Sequence, residues 1–162
     1  MHAGERLQTI MLINRDEDMT SDTAHADPPK IVHFAVRVEN VNTAAEFYKS
    51  AFRLRELARL NVKNLTAVHM TDGRIYLSVV QYHSDATAES RVAGPAPCIH
   101  HFGMEVPEPA IFFASLQKQG CELISPEGEV PIKFHTPDGI VAEICPPNYF
   151  RDRFEPEKKP AS

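Results

Sequence analysis

Two histidines and one glutamate carry the chemistry in this sequence. His33 sits in the apolar run Ile31-Val32-His33-Phe34-Ala35-Val36-Arg37-Val38, and His101 in Ile99-His100-His101-Phe102-Gly103-Met104-Glu105-Val106. Glu143 interrupts Ile140-Val141-Ala142-Glu143-Ile144-Cys145. A carboxylate in so apolar a run is costly to bury alone; it needs a proton, a cation or a hydrogen-bonding partner. Two neutral imidazoles and a carboxylate together form a donor set for a divalent metal ion. The plainer reading of each is a structural or surface side chain, or a salt bridge for Glu143. Agreement between repeat position, strand face and residue type favours the metal.

The elements that must position these residues repeat along the chain. Laid on each other, the two histidine-bearing strands match His33 with His101, Phe34 with Phe102 and Val38 with Val106, an offset of 68 residues. Each strand runs into a helix. Each half then reaches an Asp-Gly dipeptide and an apolar run, Asp72-Gly73-Arg74-Ile75-Tyr76-Leu77 and Asp138-Gly139-Ile140-Val141-Ala142-Glu143, at an offset of 66. Offsets this close signal a duplicated unit. The first helix is expected from Asn42-Thr43, with Thr43 and Glu46 as a capping box and an apolar stripe of Ala44, Phe47, Tyr48, Ala51 and Phe52. The second follows Pro107, carries Ile111, Phe112, Ser115, Leu116 and Gln119 on one side, and stops at Gly120. Strands are expected near 55–62, 65–70 and 75–81, and near 121–124, 130–135 and 140–145. The fold class is therefore α+β: two tandem βαβββ modules, 30–83 and 98–147, joined by a linker over 84–97. Residues 1–29 read as a flexible arm in which Met19 is an alternative start, and 148–162 as a charged, mobile tail.

Alternation along the strands assigns faces. Val32, Phe34 and Val36 form the uniformly apolar face, which the helix covers; His33, Ala35 and Arg37 take the other. Likewise His100, Phe102 and Met104 lie under the second helix, while His101, Gly103 and Glu105 face away. A bulge that shifted the register would make His100 the donor instead of His101. Two-residue hairpins at the Asp-Gly pairs set Phe134 opposite Glu143, His135 opposite Ala142 and Val68 opposite Leu77. On that register Phe134 walls a substrate pocket beside Glu143, and His135 and His69 turn away from it. His135 stays a candidate general base by its nearness in sequence. Tyr149, past Pro146-Pro147, is a candidate acid or hydrogen-bond donor reaching over the site. Arg37 is a candidate contact for an anionic substrate. Gln81 lies four residues beyond Leu77, roughly 13 Å away at strand rise, and is a candidate for the pocket rim. Packing or surface roles are the plainer reading of all of these.

The segments IVHFAVRV, IHHFGMEV and TPDGIVAEICPP resemble the signature strands of the vicinal oxygen chelate superfamily, which includes glyoxalase I, bleomycin-resistance proteins and extradiol dioxygenases. The resemblance covers about residues 30–147. It implies one curved mixed sheet forming a cup, helices outside, and a metal inside, held by the first and last strand of each module. By position the ligands become His33, Leu77, His101 and Glu143. Leucine binds no metal, so Leu77 is left to line the pocket and three ligands remain, a set that resembles extradiol dioxygenases and related lyases. Three protein ligands leave room for a bidentate substrate and for dioxygen or water. Fe(II) or Mn(II) suits such a site best, and Zn(II) and Ni(II) are compatible with it. The leading expectation is a dioxygenase or lyase acting on a small substrate that chelates through vicinal oxygens. The alternatives are a glyoxalase-type isomerase or epimerase and a metal-free drug-binding protein of the bleomycin-resistance kind. Members of the superfamily often dimerise, so a homodimer is one arrangement the resemblance implies.

Composition bounds the rest. The chain has 162 residues, 43% apolar and 24% charged, with a net charge of -5, as expected of one globular domain. No basic run exceeds Lys158-Lys159, which argues against nucleic acid as a partner. The run Ile10–Ile13 is too short for a signal peptide or a membrane span. Cys98, Cys121 and Cys145 form no CxxC pair, and an odd, widely spaced set points to reduced thiols and a cytoplasmic protein. The expected partner is a small-molecule substrate.

Overall fold

The computed structural model describes residues 28–92 and 94–156. The expected N-terminal arm up to residue 27 and the last six residues of the expected tail lie outside them. Eight strands and four helices follow in the order β1 (Lys30–Arg37), α1 (Val41–Phe52), β2 (Arg55–Val62), β3 (Leu65–Thr71), β4 (Tyr76–Tyr82), α2 (Ala88–Arg91), β5 (Cys98–Glu105), α3 (Pro109–Lys118), β6 (Glu122–Leu123), β7 (Ile132–His135), β8 (Val141–Cys145) and α4 (Tyr149–Phe154). All eight strands join one mixed sheet, ordered β2-β3-β4-β1-β5-β8-β7-β6. Each half is a βαβββ module. The halves meet where β1 pairs antiparallel with β5, and within each half the first strand pairs parallel with the last.

Helices α1 and α3 each cover their own module on the convex side. Val41 and Ala45 of α1 pack with Val68, Met70 and Val79, while Phe113 of α3 packs with Phe134, Ala142 and Ile144. The expected stripes are rotated. Small Ala44 and Ala45 let α1 lie close on the sheet, so the bulky rings of Phe47 and Phe52 fall outside the contact, 54% and 62% exposed. In α3 it is Phe113 that is buried, with Phe112 and Leu116 beside it, and Ile111 is 68% exposed. The cap of α1 is Asn40, whose Oδ1 accepts from the backbone N–H of Asn42 and Thr43, both at 3.0 Å. The helix therefore starts before the expected Thr43 box. Gly120, at φ +91, ends α3 as expected.

Both hairpins are longer than two residues, and in the second this changes the faces. In the first, Met70 pairs with Leu77 and Thr71 with Tyr76; in the second, Phe134 pairs with Ala142 and Lys133 with Glu143. The second loop, 136–140, has an odd number of residues, so every β7 side chain takes the face opposite to the one expected. The linker also carries structure. Arg37 reaches into it to donate to the carbonyl oxygens of Ser90 and Gly94 and to pair with Asp85. The tail is likewise ordered: residues 149–154 form α4, which lies against the concave face with Phe150 buried.

Candidate metal centre

His33 on β1, His101 on β5 and Glu143 on β8 all face the concave side and are nearly closed to solvent. Three ligand atoms, one from each, lie within 4.8 Å of one another. His33 Nε2 is 3.5 Å from Glu143 Oε1, and His101 Nε2 is 3.4 Å from Glu143 Oε2. All three come from one chain, so the cluster needs no second subunit.

Backbone register sets this convergence. Gly103 pairs with His33 on one side and with Glu143 on the other. A Cβ there would stand 2.9 Å from His33 Cβ and 3.0 Å from Glu143 Oε1. The space a side chain would fill is taken by the two donors.

The donor set fits a divalent cation. His33 Nδ1 lies 3.1 Å from the Tyr76 carbonyl oxygen. A carbonyl only accepts, so Nδ1 carries the hydrogen and Nε2 presents a bare lone pair to the carboxylate. Burial, opposed only in part by Glu143, pushes His33 down to about 4. It is therefore neutral at pH 7 and cannot supply the positive charge that this lone pair and the carboxylate oxygen call for. Burial alone would raise Glu143, but its contacts with His101, Lys133 and His33 outweigh that and bring it to about 2. An ionised carboxylate and a neutral imidazole whose lone pairs converge are what a divalent ion requires of its protein ligands.

Lys133 is the charged group the sequence reading missed. Its Nζ lies 3.3 Å from Glu143 Oε2 and 3.0 Å from Glu89 Oε1. Burial works against its charge, but the two carboxylates outweigh it and raise its pKa. The five-residue loop that turns Lys133 into the cup also turns Phe134 out of it. Phe134 packs beside Phe113, with ring centroids 5.6 Å apart, and walls no pocket. His135 pairs with Val141, on the face of Glu143 rather than with Ala142, but its Nδ1 rests against the Gly139 carbonyl oxygen in the turn and it does not line the cup.

The fourth ligand position also moves. Ala35, two residues past His33, pairs with Ser78, just as Gly103, two past His101, pairs with Glu143. Ser78 therefore matches Glu143, and Leu77 does not. Ser78 lies five residues after Gly73 but Glu143 only four after Gly139, so alignment on the glycines lands one residue short. Leu77 packs under α1. Gln81, on the same side, accepts from the Val41 backbone N–H at 3.1 Å and lines no rim. The same correction turns His69 into the cup, its Nδ1 2.8 Å from Ser78 Oγ.

A β-bulge in β5 lets Ala35 pair with His101 and Val36 with Ile99, leaving His100 as the extra residue. His100 is thereby pulled from under α3 onto the cup side, where its Nδ1 lies 2.8 Å from His101 Nδ1. Arg37 is spent on the linker and stacks over Tyr82, so it does not meet the cup. Tyr149 lines the cup, but its hydroxyl donates to the Val130 carbonyl oxygen at 3.0 Å and accepts from Arg153. Its neighbour Phe150 is the ring that reaches the donors, stacked on His33 at 4.4 Å, and Phe154 stacks on His69 at 4.3 Å.

The cup encloses about 330 Å³, walled by Ala35, Ala67, Val80 and Phe150 around these polar groups. A roomier cavity of about 570 Å³ lies by α3, lined by Phe113, Leu123 and Ile132 among others. No imidazole reaches it. Among the described residues no helix is long and apolar enough to cross a membrane.

A sequence model of the Glyoxalase/Bleomycin resistance protein/Dioxygenase superfamily matches residues 30–144. No curated protein matches the sequence. Among solved structures, a hypothetical protein from Bacillus halodurans C-125 aligns with TM-score 0.62 at 16% identity, over 84% of this chain and 99% of that one. Methylmalonyl-CoA epimerase from Mycobacterium tuberculosis aligns with TM-score 0.60 at 13% identity, over 72% and 87%. A Streptomyces coelicolor methylmalonyl-CoA epimerase in complex with 2-nitronate-propionyl-CoA aligns with TM-score 0.58 at 15% identity, over 71% and 92%. At these identities the likeness is one of fold. The paired modules, the continuous cup and the matched family model agree, and the chain belongs to the Glyoxalase/Bleomycin resistance protein/Dioxygenase superfamily.

Proposed function

We propose that the protein is a metal-dependent enzyme that binds a small substrate through two neighbouring oxygens, with His33, His101 and Glu143 as the metal ligands. The observation that carries this is the convergence of two buried imidazole nitrogens on one buried, ionised carboxylate. A divalent ion held there supplies Lewis acidity to a substrate carbonyl or hydroxyl. Fe(II) and Mn(II) lead, with Zn(II) and Ni(II) compatible. The chain's own groups do the rest. Lys133 keeps a positive charge beside Glu143, where it stabilises negative charge developing on a substrate oxygen. Phe150 shields the donor ring of His33 from water, and Phe154 covers His69 beside it.

Within that reading the isomerase or epimerase form stands ahead. The case for dioxygenase-like chemistry rests on a leucine at the fourth ligand position. By strand register Ser78, not Leu77, corresponds to Glu143, and a hydroxyl oxygen at that position favours the four-position arrangement of the isomerases. Proteins of the same fold that carry the name epimerase lend further support. Ring opening by a dioxygenase, or a lyase step, remains the second reading, supported by the three-donor set.

Elemental analysis of protein purified without chelator should find about one divalent ion per chain. Metal-loaded protein should exchange the carbon-bound proton of an α-hydroxy ketone or β-dicarbonyl probe with deuterium oxide. Oxygen uptake with catechols, without such exchange, would move the assignment to the second reading. Absence of stoichiometric metal under every loading condition would end both.

A further inference from the structure

His100 donates nothing to the proposed ion, yet it is 3% exposed and hydrogen-bonded at both ring nitrogens. We infer that His100 is a positioning residue: it fixes the tautomer of His101 and so presents His101 Nε2 as a donor. The inference rests on the metal reading above and assigns this neighbour a part in it.

The hydrogen positions follow from one fixed acceptor. His100 Nε2 lies 2.9 Å from the Glu89 carbonyl oxygen, with the Tyr82 hydroxyl oxygen farther off at 3.4 Å. A carbonyl cannot donate, so the hydrogen of a neutral His100 is on Nε2. The ring is buried and no carboxylate among the described residues pairs with it, and a buried imidazole without an ion-pair partner is held in its neutral form. Its Nδ1 is then a bare lone pair, 2.8 Å from His101 Nδ1. Two lone pairs at that distance repel, so His101 carries its hydrogen on Nδ1 and donates it to His100. His101 Nε2 is left bare, pointing at Glu143 Oε2 from 3.4 Å. The opposite tautomer would place N–H where the ion must sit and remove one ligand.

The acceptor that starts this chain is itself held. Glu89 opens α2, whose cap is the Thr87 hydroxyl, accepting from the Ser90 N–H at 3.1 Å. Arg37 ties down the carbonyl oxygens of Ser90 and Gly94 on either side. The Glu89 carboxylate meanwhile grips Lys133, which sits on Glu143. One linker residue thus braces two donors, His101 through its carbonyl and Glu143 through its side chain. The bulge in β5 makes the first brace reachable, since an unbulged strand would send His100 to the other face.

The test uses the full chain stripped of metal. Long-range proton–nitrogen correlation spectra of the wild type should show His101 protonated at Nδ1 and His100 at Nε2. His100→Leu removes the acceptor, and Co(II) affinity, read by competition with a chromophoric chelator, should fall about 10- to 100-fold. His100→Asn places an amide oxygen near the lost Nδ1 and should restore most of that affinity. A wild-type His101 protonated at Nε2 overturns the inference, as do Leu and Asn variants that bind Co(II) alike. If His100→Leu does not fold, the wild-type spectrum decides alone. If the wild type binds no Co(II), the metal reading fails while the spectrum still decides the tautomer.

Discussion

Gly103→Ala offers the sharpest test of how the donors are spaced. Gly103 is a β5 residue outside the left-handed region, so alanine strains no backbone there. What the methyl meets is the site itself: His33 Cβ at 2.9 Å, Glu143 Oε1 at 3.0 Å and Glu143 Cγ at 3.1 Å. Ordinary contact begins near 3.4 Å, so β1 and β8 must each give by about 0.3–0.5 Å. Neither yields readily, because His33 Cβ is fixed to backbone and Glu143 is wedged between two imidazoles and Lys133. Metal–ligand distances tolerate about 0.2 Å, so the displacement exceeds what the donors can absorb. Metal affinity should fall about 10- to 100-fold, comparable to losing an outer-shell support. The metal-free protein should lose about 1–3 kcal/mol through overpacking. Affinity is read by chelator competition and stability by urea unfolding. An alanine variant that binds metal as tightly as the wild type would refute the reasoning, because the methyl would then have room that the geometry denies.

Four further outcomes are expected. Glu143→Gln removes the only anionic donor and should abolish stoichiometric metal in elemental analysis while leaving a folded protein by circular dichroism. In the metal-free protein His33 and His69 titrate near 4, below the ordinary 6.5, so the unfolded chain takes up protons first as pH falls. Stability is full above about pH 6.5 and drains away down to about pH 4, by at most about 3 kcal/mol for His33 and less for the more open His69; urea midpoints that stay flat from pH 7 to 4 would contradict this. Phe150→Ala should cost about 3 kcal/mol and speed diethylpyrocarbonate modification of His33, which the ring now covers. Arg37→Met removes the guanidinium that holds the linker and should open residues 85–94 to limited proteolysis, at a cost of about 2–3 kcal/mol for buried charged hydrogen bonds.

The fold was legible because duplication writes itself twice. The offsets between His33 and His101 and between the two Asp-Gly turns were enough to draw two βαβββ modules, and strand alternation put both histidines on the concave side. Loop parity was not legible. The Asp-Gly pairs suggested equal two-residue hairpins, but the loops span 72–75 and 136–140, one even and one odd. That difference exchanged Phe134 for Lys133, and alignment on the glycines took Leu77 for Ser78. One spacing carried a warning: counting from each histidine rather than from each glycine leads to different partners for Glu143. The β5 bulge and the ordering of α4 had no local signal. Phe150 and Phe154 look like ordinary residues of a charged tail until the imidazoles they stack on are known.

His33 belongs to the first module, and His101 and Glu143 to the second, across the seam where β1 meets β5. Any ion shared by all three is therefore a clasp between the duplicated halves as well as a reagent. Occupancy and cohesion become a single equilibrium: a chelator loosens the whole domain instead of one loop, and two fragments severed in the linker would find each other more tightly as free metal rises.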